Sequence, residues 1–406
     1  MNEDWKSVNL DEVAEIGAGN SAPQDKSLYV DGTFPFVRTA DVGQVGIGTI
    51  TSVKDRLNEN GTHKLRLVKR DTILIPKSGA STFCNHRVMM GFDGYVASHL
   101  ATVAVREAIA DPHFVLYYLT TVMAQDLIQD HKYPSLNLPV IKSISVPLPP
   151  LAEQKRIVAI LDEAFGAIAK AKENAERNLA NAKELFESYL NKVFTEKGEG
   201  WEEKTLADVA SSFGRGKSRH RPRNDESLYG GKFPFIQTGE IRKANHFITE
   251  YSKTYNEKGL AQSKLWPVGT LCITIAANIA ETAILTFDAC IPDSVIGLVC
   301  DTQKANVDFV EYLLQHFKSV LQAEGKGSAQ DNINMGTFEN MAFPFPSVSE
   351  QERIVRELNA IAGSCSNVSP IYEQKLSDLD ELKQSILQKA FTGQLTSKST
   401  ELEAVG

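Results

Sequence analysis

The stretch PLPPLAEQKRIVAILD, residues 147–162, recurs in a closely related form as PFPSVSEQERIVRELN, residues 344–359. In both places prolines stand just before Glu-Gln-x-Arg-Ile-Val, and a helical pattern follows. Proline interrupts both a central strand and a helix interior, so each junction predicts a stiff linker at which a long helix begins. Two such junctions in one chain predict two similar halves, each ending in a helix.

Other segments recur in the same order along the chain of 406 residues. The pairs are WKSVNLDEV with WEEKTLADV, SLYVDGTFPFVRTADV with SLYGGKFPFIQTGEI, DTILI with GTLCI, and SYLNKVF with SILQKAF. A long ordered repeat predicts two copies of one structural unit. The predicted domains are a first globular part (1–150), a central helix (151–197), a second globular part (198–346) and a C-terminal helix (347–406).

Both helical parts carry apolar residues at a spacing of seven. The predicted seam residues are Leu161, Ile168, Leu179 and Phe186 in the first helix and Leu358, Tyr372, Leu379 and Ile386 in the second. Sustained heptad spacing is typical of a coiled coil, and about 40 residues would make a helix of about 60 Å. The alternative is two surface helices, each packed on its own domain.

Pro370 lies inside the second helical pattern. A proline in a helix interior removes a backbone hydrogen bond and clashes with the preceding turn. Because Gly363 and Ser369 are nearby, the sequence predicts a kink or a break. Ser369 as N-cap and Pro370 as the first helical residue would fit a restarted helix.

The globular parts alternate β-rich segments with helical patterns. FPFVRTADV, DTILIPKSG and YVASHLATVAV predict strands, and the apolar spacing of residues 114–128 and 309–322 predicts helices. The predicted fold class is therefore α+β, with two mixed α/β domains joined by coiled-coil helices.

The composition is that of an ordinary globular protein, with 42% hydrophobic and 23% charged residues. A net charge of −8 argues mildly against a nucleic-acid binder, although a local basic patch can still contact phosphates. The five cysteines include no C-x-x-C pair, which predicts reduced thiols. The N-terminus lacks a signal-peptide pattern, and no apolar run approaches the roughly 20 residues of a membrane helix. We therefore expect a soluble, cytoplasmic protein.

No active-site motif is complete in this sequence. GRGKS, residues 214–218, matches the end of a P-loop, but the position that needs the first glycine is Ser211. Dinucleotide-binding, zinc-protease and serine-hydrolase motifs are absent, as are the methyl-donor and catalytic motifs of an amino-methyltransferase. The histidines form no ligand cluster with cysteines. The sequence predicts a chain that is not an enzyme and has no cofactor or metal of its own.

Basic residues are concentrated in SSFGRGKSRHRPR, residues 211–223, which contains no acidic residue. The predicted DNA-contacting residues of this run are Arg215, Lys217, Arg219, His220, Arg221 and Arg223. A guanidinium presents a planar fork of donors that fits a phosphate or the O6 and N7 atoms of guanine. The alternative is a flexible, exposed loop that only increases solubility.

Elsewhere the candidates are small and polar residues in loops. In the first half they are Arg38, Lys77, Ser78, Ser81, Thr82, Asn85, His86, Arg87, Lys132 and Tyr133, and in the second half Gln237, Lys326, Ser328 and Gln330. Such side chains can recognise base edges or contact phosphates. The alternatives are ordinary surface loops and connectors between a helix and the last strand. Different polar loops on a duplicated framework suit recognition of two different DNA sequences.

The two Glu-Gln-x-Arg-Ile-Val junctions, the FPF segments and the Trp-x-x-x-x-Leu-x-Asp/Glu-Val opening of each half carry a resemblance. Over essentially its whole length the chain resembles the specificity subunit of Type I restriction-modification systems. The resemblance implies two target recognition domains and two long helices that pair antiparallel and fix the distance between the domains. It also implies approximate two-fold symmetry, one DNA half-site per domain and unread bases between the half-sites.

The resemblance further implies partners. They are double-stranded DNA, two modification subunits that carry S-adenosylmethionine, and two restriction subunits that supply the ATP-dependent motor and nuclease. The family donates no catalytic residue to this chain. Two other hypotheses stay open on the residues alone: a coiled-coil scaffold or adaptor without DNA specificity, and an enzyme that acts alone.

Overall fold

The computed structural model describes residues 5–128, 134–220, 222, 224–276, 279–326 and 335–396. The chain divides into two compact units: unit 1 takes in residues 1–175 and 374–406, and unit 2 takes in residues 176–373. Two long helices, α7 (Leu151–Glu196) and α13 (Val348–Phe391), contribute a portion to each unit. The domain boundaries predicted from the sequence treat each long helix as a separate segment, and they stay a prediction.

Unit 1 is built from short strands and short helices. Its strands are β1 (Lys6–Asn9), β2 (Ala14–Ala18), β3 (Phe34–Val37), β4 (Ile47–Ile50), β5 (Asp55–Leu57), β6 (Ile73–Pro76), β7 (Arg87–Met90), β8 (Tyr95–Val96), β9 (Leu100–Val105) and β10 (Ser145–Leu148). Its short helices are α1 (Leu10–Val13), α2 (Thr39–Val45), α3 (Glu59–Thr62), α4 (Pro112–Thr120), α5 (Ala124–Leu127) and α6 (Leu138–Lys142).

The main sheet of unit 1 has the strand order β2-β9-β6-β7-β4, with a second sheet β5-β3-β8 and a ribbon β1-β10. Successive side chains of a strand point to opposite faces, so an apolar strand can fill two cores. Ile73 of β6 lies in the core beneath Phe114 of α4, whereas Leu74 lies in a second core with Val42 of α2. The sheet is therefore covered on both faces.

Unit 2 has the same kinds of elements. Its strands are β11 (Glu202–Lys204), β12 (Ala210–Arg215), β13 (Tyr229–Phe235), β14 (Phe247–Ile248), β15 (Lys253–Tyr255), β16 (Leu265–Trp266), β17 (Leu271–Thr274), β18 (Thr282–Leu285), β19 (Ala289–Cys290), β20 (Val295–Cys300) and β21 (Phe343–Phe345). Its short helices are α8 (Thr238–Lys243), α9 (Glu257–Ala261), α10 (Val307–His316), α11 (Lys318–Lys326) and α12 (Met335–Asn340).

The sheets of unit 2 repeat the strand orders of unit 1. The main sheet runs β12-β20-β17-β18-β14, the second runs β15-β13-β19-β16, and β11 pairs with β21. Strand for strand this matches unit 1, with β16 added at the edge of the second sheet. In both main sheets the edge strand, β4 or β14, is parallel to its neighbour. The repeated order confirms the predicted duplication of an α+β unit.

The two long helices run antiparallel within each unit. In unit 1, Lys172 forms an ion pair with Asp380, and the Lys383 ammonium lies 5.0 Å from the ring centre of Phe165. In unit 2, Tyr189 donates a hydrogen bond of 2.6 Å to Glu357. Position numbers fall along α13 as they rise along α7, which is the signature of antiparallel pairing. The predicted pairing of the long helices is confirmed.

The predicted seam residues face inward or sit at the margin of the helix pair. Leu161, Ile168 and Leu358 are buried, and the others are half-buried, namely Leu179, Phe186, Tyr372, Leu379 and Ile386. Apolar burial at heptad spacing contributes roughly 25 cal/mol for each Å² removed from water. This burial holds together two helices whose remaining positions are mostly charged, polar or small.

The break predicted at Pro370 is wrong, because α13 continues through that residue. Ser369 does not act as an N-cap: its hydroxyl donates a hydrogen bond of 3.0 Å to the carbonyl of Cys365, one turn earlier. Pro370 itself is exposed, so its ring points away from the partner helix. The packing of the flanking turns, including the 3.0 Å contact of Cys365 Sγ with the Ala182 carbonyl, outweighs the lost hydrogen bond.

The repeated glutamine of each junction has a structural role. Gln154 is fully buried at the start of α7, and Gln351 is fully buried at the start of α13. The Gln154 amide accepts a 2.8 Å hydrogen bond from the backbone of Asp111 and donates one of 2.8 Å to the Pro149 carbonyl. Gln351 repeats the arrangement with Asn306 and Pro346. Asp111 and Asn306 are the N-caps of α4 and α10, so each glutamine fixes a long helix to a domain helix.

Candidate nucleic-acid interface

An extended segment of unit 2 displays a row of positive charges. Along β12 and just beyond it, Arg215, Lys217 and Arg219 are exposed, whereas Gly216 and Ser218 between them are buried. Alternate residues of an extended chain lie on the same face. Three of the predicted DNA-contacting cations therefore stand side by side, and we call these three residues the basic row.

The backbone of the basic row is fixed. Gly216 donates a hydrogen bond of 2.8 Å to Val295, and Lys217 donates one of 3.1 Å to Ile291. A Cβ atom at Gly216 would lie 2.3 Å from the Ile291 carbonyl oxygen, so only glycine fits this close approach. The side-chain oxygen of Gln262 accepts from the backbone N–H groups of Arg219 and His220, at 2.7 and 3.0 Å. The flexible-loop alternative therefore does not describe residues 211–220.

A cavity of about 400 Å³ opens beside the basic row. Its lining residues are Ser218, Asn224, Tyr229, Phe235, Gln237, Thr238, Lys253, Ala276, Pro292 and Ser294. Ser218, which lies between Lys217 and Arg219 in the sequence, lines the cavity from the opposite face of the segment. Arg215 Nε donates a 2.8 Å hydrogen bond to the carbonyl of Asp293, which lies between the lining residues Pro292 and Ser294. Gln237, a predicted DNA-contacting residue, lines this cavity.

Aromatic rings form the wall of this cavity. Phe235 stacks on Tyr255 with 4.2 Å between ring centres, and Tyr229 lies 5.2 Å from Tyr255. Burial raises the pKa of the Tyr255 phenol to about 12, so the hydroxyl keeps its proton at neutral pH. The Lys253 ammonium lies 5.5 Å from the ring centre of Tyr229. The cavity combines apolar walls with hydrogen-bond donors that can bind acceptor atoms of a ligand.

The remaining candidates of unit 2 are placed differently. His220 contacts Asp225 at 2.7 Å, and hydrogen bonds from Ser227, together with that of His220, lower the pKa of Asp225 to about 2. His220 is therefore turned toward an ionised carboxylate of its own loop. Lys326 is the last residue of α11, and its side chain lies outside the described part of the structure. Arg221, Arg223, Ser328 and Gln330 lie outside the described residues.

In unit 1, Arg38 stands where unit 2 has Gln237. Its guanidinium forms an ion pair with Asp55 and donates a 3.1 Å hydrogen bond to the Tyr29 hydroxyl. It also lies 5.3 Å from the ring centre of Phe36. Arg38 is thus held by a carboxylate and two aromatic rings, and its side chain is 41% exposed.

The loop after β6 in unit 1 contains five half-buried candidates, Lys77, Ser78, Ser81, Asn85 and His86. Ser78 contacts His99 at 2.7 Å, and Ser81 donates a 3.2 Å hydrogen bond to the Ser78 carbonyl. Asn85 accepts a 2.6 Å hydrogen bond from the backbone of Ala124 and donates to Gln125. Asn85 therefore ties this loop to the first turn of α5. Lys132 and Tyr133 lie outside the described residues.

Two candidates of unit 1 are corrected by their burial. Thr82 is fully buried and Arg87 is 1% exposed, so neither can contact DNA in this conformation. The Arg87 guanidinium donates hydrogen bonds to the carbonyls of His86 and Val122, at 2.9 and 3.1 Å. Burial lowers the pKa of Arg87 to about 10. Arg87 opens the buried strand β7 and holds it to the turn after α4, which is a structural role.

Two lysines of unit 2 were missed by sequence reasoning. Lys253 lines the cavity, and Lys264 lies 3.4 Å from the ring centre of Trp266 and donates a 3.2 Å hydrogen bond to Ser212 of β12. Neither is part of a basic run. Lys253 reaches the cavity through the pairing of β15 with β13, and Lys264 immediately precedes β16. The repeat in the sequence carried the available signal. Aligning the two halves at their FPF segments places Lys253 near Asp55, so a basic residue of one half stands near the position of an acidic residue of the other.

Within the described part of the chain, no group of histidine, cysteine and acidic residues is arranged to hold a metal ion. The described helices include none that is long and apolar enough to cross a membrane. Burial raises the pKa of the thiol at Cys272, and also at Cys290. These thiols therefore pack as small apolar groups.

The model of the Type I restriction modification DNA specificity domain matches residues 2–177 and 198–366 of this chain. The chain is 22% identical to the Type I restriction enzyme MjaVIII specificity subunit of Methanocaldococcus jannaschii, over 98% of this chain and 94% of that protein. It is 24% identical to the EcoR124I/EcoR124II specificity subunit of Escherichia coli, over 61% and 62% of the two chains.

Two solved structures share the fold. One comes from work on complex assembly and conformational transition of the type I R-M system, and it matches with a TM-score of 0.77 and 20% identity over 97% of this chain and 99% of that chain. The other is the HsdS subunit from Thermoanaerobacter tengcongensis, with a TM-score of 0.62 and 20% identity over 97% and 98%. These matches confirm the predicted fold class.

Proposed function

Because this chain belongs to the Type I restriction modification DNA specificity family, we propose that it is the non-catalytic DNA-recognition subunit of a Type I restriction-modification complex. Each globular part binds one half of a split, asymmetric target in double-stranded DNA. Two modification subunits and two restriction subunits bind this chain and carry out methylation and ATP-dependent cleavage. The chain directs both activities to the target and contributes no catalytic residue.

The observation that carries the proposal is the basic row beside the aromatic cavity. A row of fixed cations on an acidic chain is suited to the phosphate backbone, because each neutralised phosphate releases counterions and adds affinity. An adjoining polar cavity supplies the contacts that can distinguish bases. In this arrangement the row positions the duplex and the cavity recognises part of one half-site.

The same position in unit 1 has no charge, which supports different targets for the two units. The backbone N–H of Gly19 donates a hydrogen bond to the carbonyl of Leu100, the first residue of β9. The N–H of Gly216 does the same to Val295, the first residue of β20, so the two glycines correspond. Arg215, Lys217 and Arg219 therefore correspond to Ala18, Asn20 and Ala22. A common framework thus presents a cationic edge in one copy and a neutral edge in the other. This difference favours two unlike half-sites over one ligand bound twice.

The long helices set the distance between the half-sites in this proposal. They pair antiparallel in each unit, and the buried Gln154 and Gln351 fix them to the domain helices. A rigid spacer converts two separate contacts into recognition of a fixed gap, as in other readers of divided DNA sites. The alternative of a protein-only scaffold gives no role to the basic row.

Salt-dependent DNA binding tests the proposal. The complex of the full chain with its modification subunits would be titrated with duplex DNA at several salt concentrations. Replacing Arg215, Lys217 and Arg219 by alanine should reduce the slope of log affinity against log salt by about 2–3. A matched triple, Lys170, Lys183 and Lys192 to alanine, removes equal charge from exposed positions of α7 and should leave the slope nearly unchanged. Equal slopes for both triples would contradict the assignment of the row.

A further inference from the structure

Two equivalent positions carry different charges in the two units. Asp55 pairs with Phe36 across β5 and β3, and Lys253 pairs with Phe235 across β15 and β13, so Asp55 and Lys253 are equivalent. Arg38 and Gln237 are equivalent too, since each is the residue before α2 or α8. Unit 1 therefore has arginine with aspartate where unit 2 has glutamine with lysine.

In unit 1 these two positions neutralise each other. Arg38 and Asp55 form an ion pair, with the Tyr29 hydroxyl accepting a further hydrogen bond from the guanidinium. A base edge would have to compete with this carboxylate for the guanidinium. The pair therefore offers little charge to an incoming ligand.

In unit 2 the lysine keeps its charge available. Among the described residues Lys253 has no carboxylate partner, and its ammonium lies over the Tyr229 ring at the cavity wall. An aromatic face holds a cation in place but leaves its N–H donors free. Gln237 lines the same cavity and brings both a donor and an acceptor.

We propose that Lys253, oriented by Tyr229 and flanked by Gln237, is a specificity-determining residue of unit 2 that recognises a guanine in the second half-site. An ammonium has only donors, so it matches the adjacent N7 and O6 acceptors of guanine in the major groove. Adenine presents an amino group beside N7, which the ammonium cannot accept. The basic row binds phosphates, and Lys253 contributes the sequence preference. This inference rests on the proposed function.

Selection from a random duplex library would test it. The full chain in complex with its modification subunits would be used, because that is the form in which it is proposed to act. The wild type should select a second half-site with a fixed guanine. Lys253→Ala should reduce the preference for guanine at that one position by about 10-fold and leave the first half-site unchanged.

Lys232→Ala is the matched control. Lys232 also lies over an aromatic ring, 5.2 Å from the centre of Phe233, but it is paired with Glu257 at 3.2 Å. This control removes the same charge and should leave the preference for guanine unchanged. The reciprocal double change Arg38→Gln with Asp55→Lys should install a guanine preference in the first half-site.

The possible outcomes distinguish failure of the Lys253 assignment from failure of the proposed function. Loss of the guanine preference at one position with Lys253→Ala, but not with Lys232→Ala, supports the assignment. Equal weakening of all sequences by both single variants would make Lys253 a phosphate contact and overturn it, while the proposed function would stand. A wild-type complex without any sequence preference would overturn the proposed function and this inference together.

Discussion

The side-chain oxygen of Gln154 lies 2.8 Å from the backbone nitrogen of Asp111 and accepts its hydrogen bond. Gln154 belongs to the long helix α7, and Asp111 is the N-cap of the domain helix α4. The amide nitrogen of the same glutamine donates to the carbonyl of Pro149, just before α7 begins. One buried side chain therefore joins α7, the start of α4 and the proline linker, which explains why a glutamine follows the prolines in both halves.

Gln154→Leu should lower the free energy of unfolding by about 3 kcal/mol, because a partly buried N–H and a buried carbonyl would lose their partner. Denaturant unfolding followed by circular dichroism measures the loss. Gln303→Leu is the control, since Gln303 is exposed, and it should change the stability by less than about 0.5 kcal/mol. Similar effects of the two substitutions would refute the role assigned to Gln154.

Pro370→Ala should stabilise the protein. The helix continues through Pro370, which is exposed, so alanine restores a backbone hydrogen bond and removes a clash without loss of packing. The gain should be about 1–3 kcal/mol in the free energy of unfolding. A lower midpoint of thermal unfolding would show that α13 requires the proline.

His246 of unit 2 should make stability depend on pH. It contacts Asp308 and Glu311, each at 2.8 Å, and Glu311 is fully buried. Burial alone would lower the pKa of His246, but the hydrogen bonds and charges of both carboxylates outweigh it and raise the pKa to about 9.

A pKa raised on folding means that the protonated histidine stabilises the folded state. This contribution is complete below about pH 6.5, the ordinary value, and is lost as the pH rises through about 9. Between pH 7 and pH 10 the free energy of unfolding of the wild type should therefore fall by about 2–3 kcal/mol more than that of the His246→Asn variant. Asparagine suits the positive φ of 72° at this position. Parallel pH profiles of the two proteins would rule out the histidine as the source.

The spacing of the half-sites should follow the length of the helices. Inserting seven residues after Ala175 in α7 and seven after Glu373 in α13 keeps the heptad register and adds about 10 Å to the pair. The unread gap should grow by about 3 base pairs, at roughly 3.4 Å each. Methylation mapping of the variant complex would measure the gap. Insertion of four residues instead disrupts the register and serves as the control, with a loss of thermal stability expected. An unchanged gap after the heptad insertion would contradict the spacer role.

The architecture could be predicted from the sequence because its signals are local and repeated. Heptad spacing marks the long helices, and the two Glu-Gln-x-Arg-Ile-Val junctions mark where they begin. The failure at Pro370 has a physical reason: a propensity argument counts one lost hydrogen bond, whereas the packing of a 44-residue helix on a partner decides the outcome.

The site could be predicted only where it is contiguous in the sequence. Arg215, Lys217 and Arg219 occupy every second position, as the strand period requires, so the basic run in the sequence was sufficient to predict them. Arg87 looked like a surface cation until the structure placed it at the start of a strand with every residue buried. Lys253 comes to the cavity through pairing of β15 with β13, and such long-range pairing cannot be inferred from charge alone.

Mapping of methylated bases tests the central claim, that one duplicated chain recognises two half-sites at a fixed distance. This chain would be co-expressed with its modification subunits, and the host DNA would be sequenced for methylated adenine. We expect a split motif with two short, unlike halves and an unread gap of constant length. A complex that forms and binds methyl donor but methylates no such motif would contradict the account and favour a scaffold without DNA specificity.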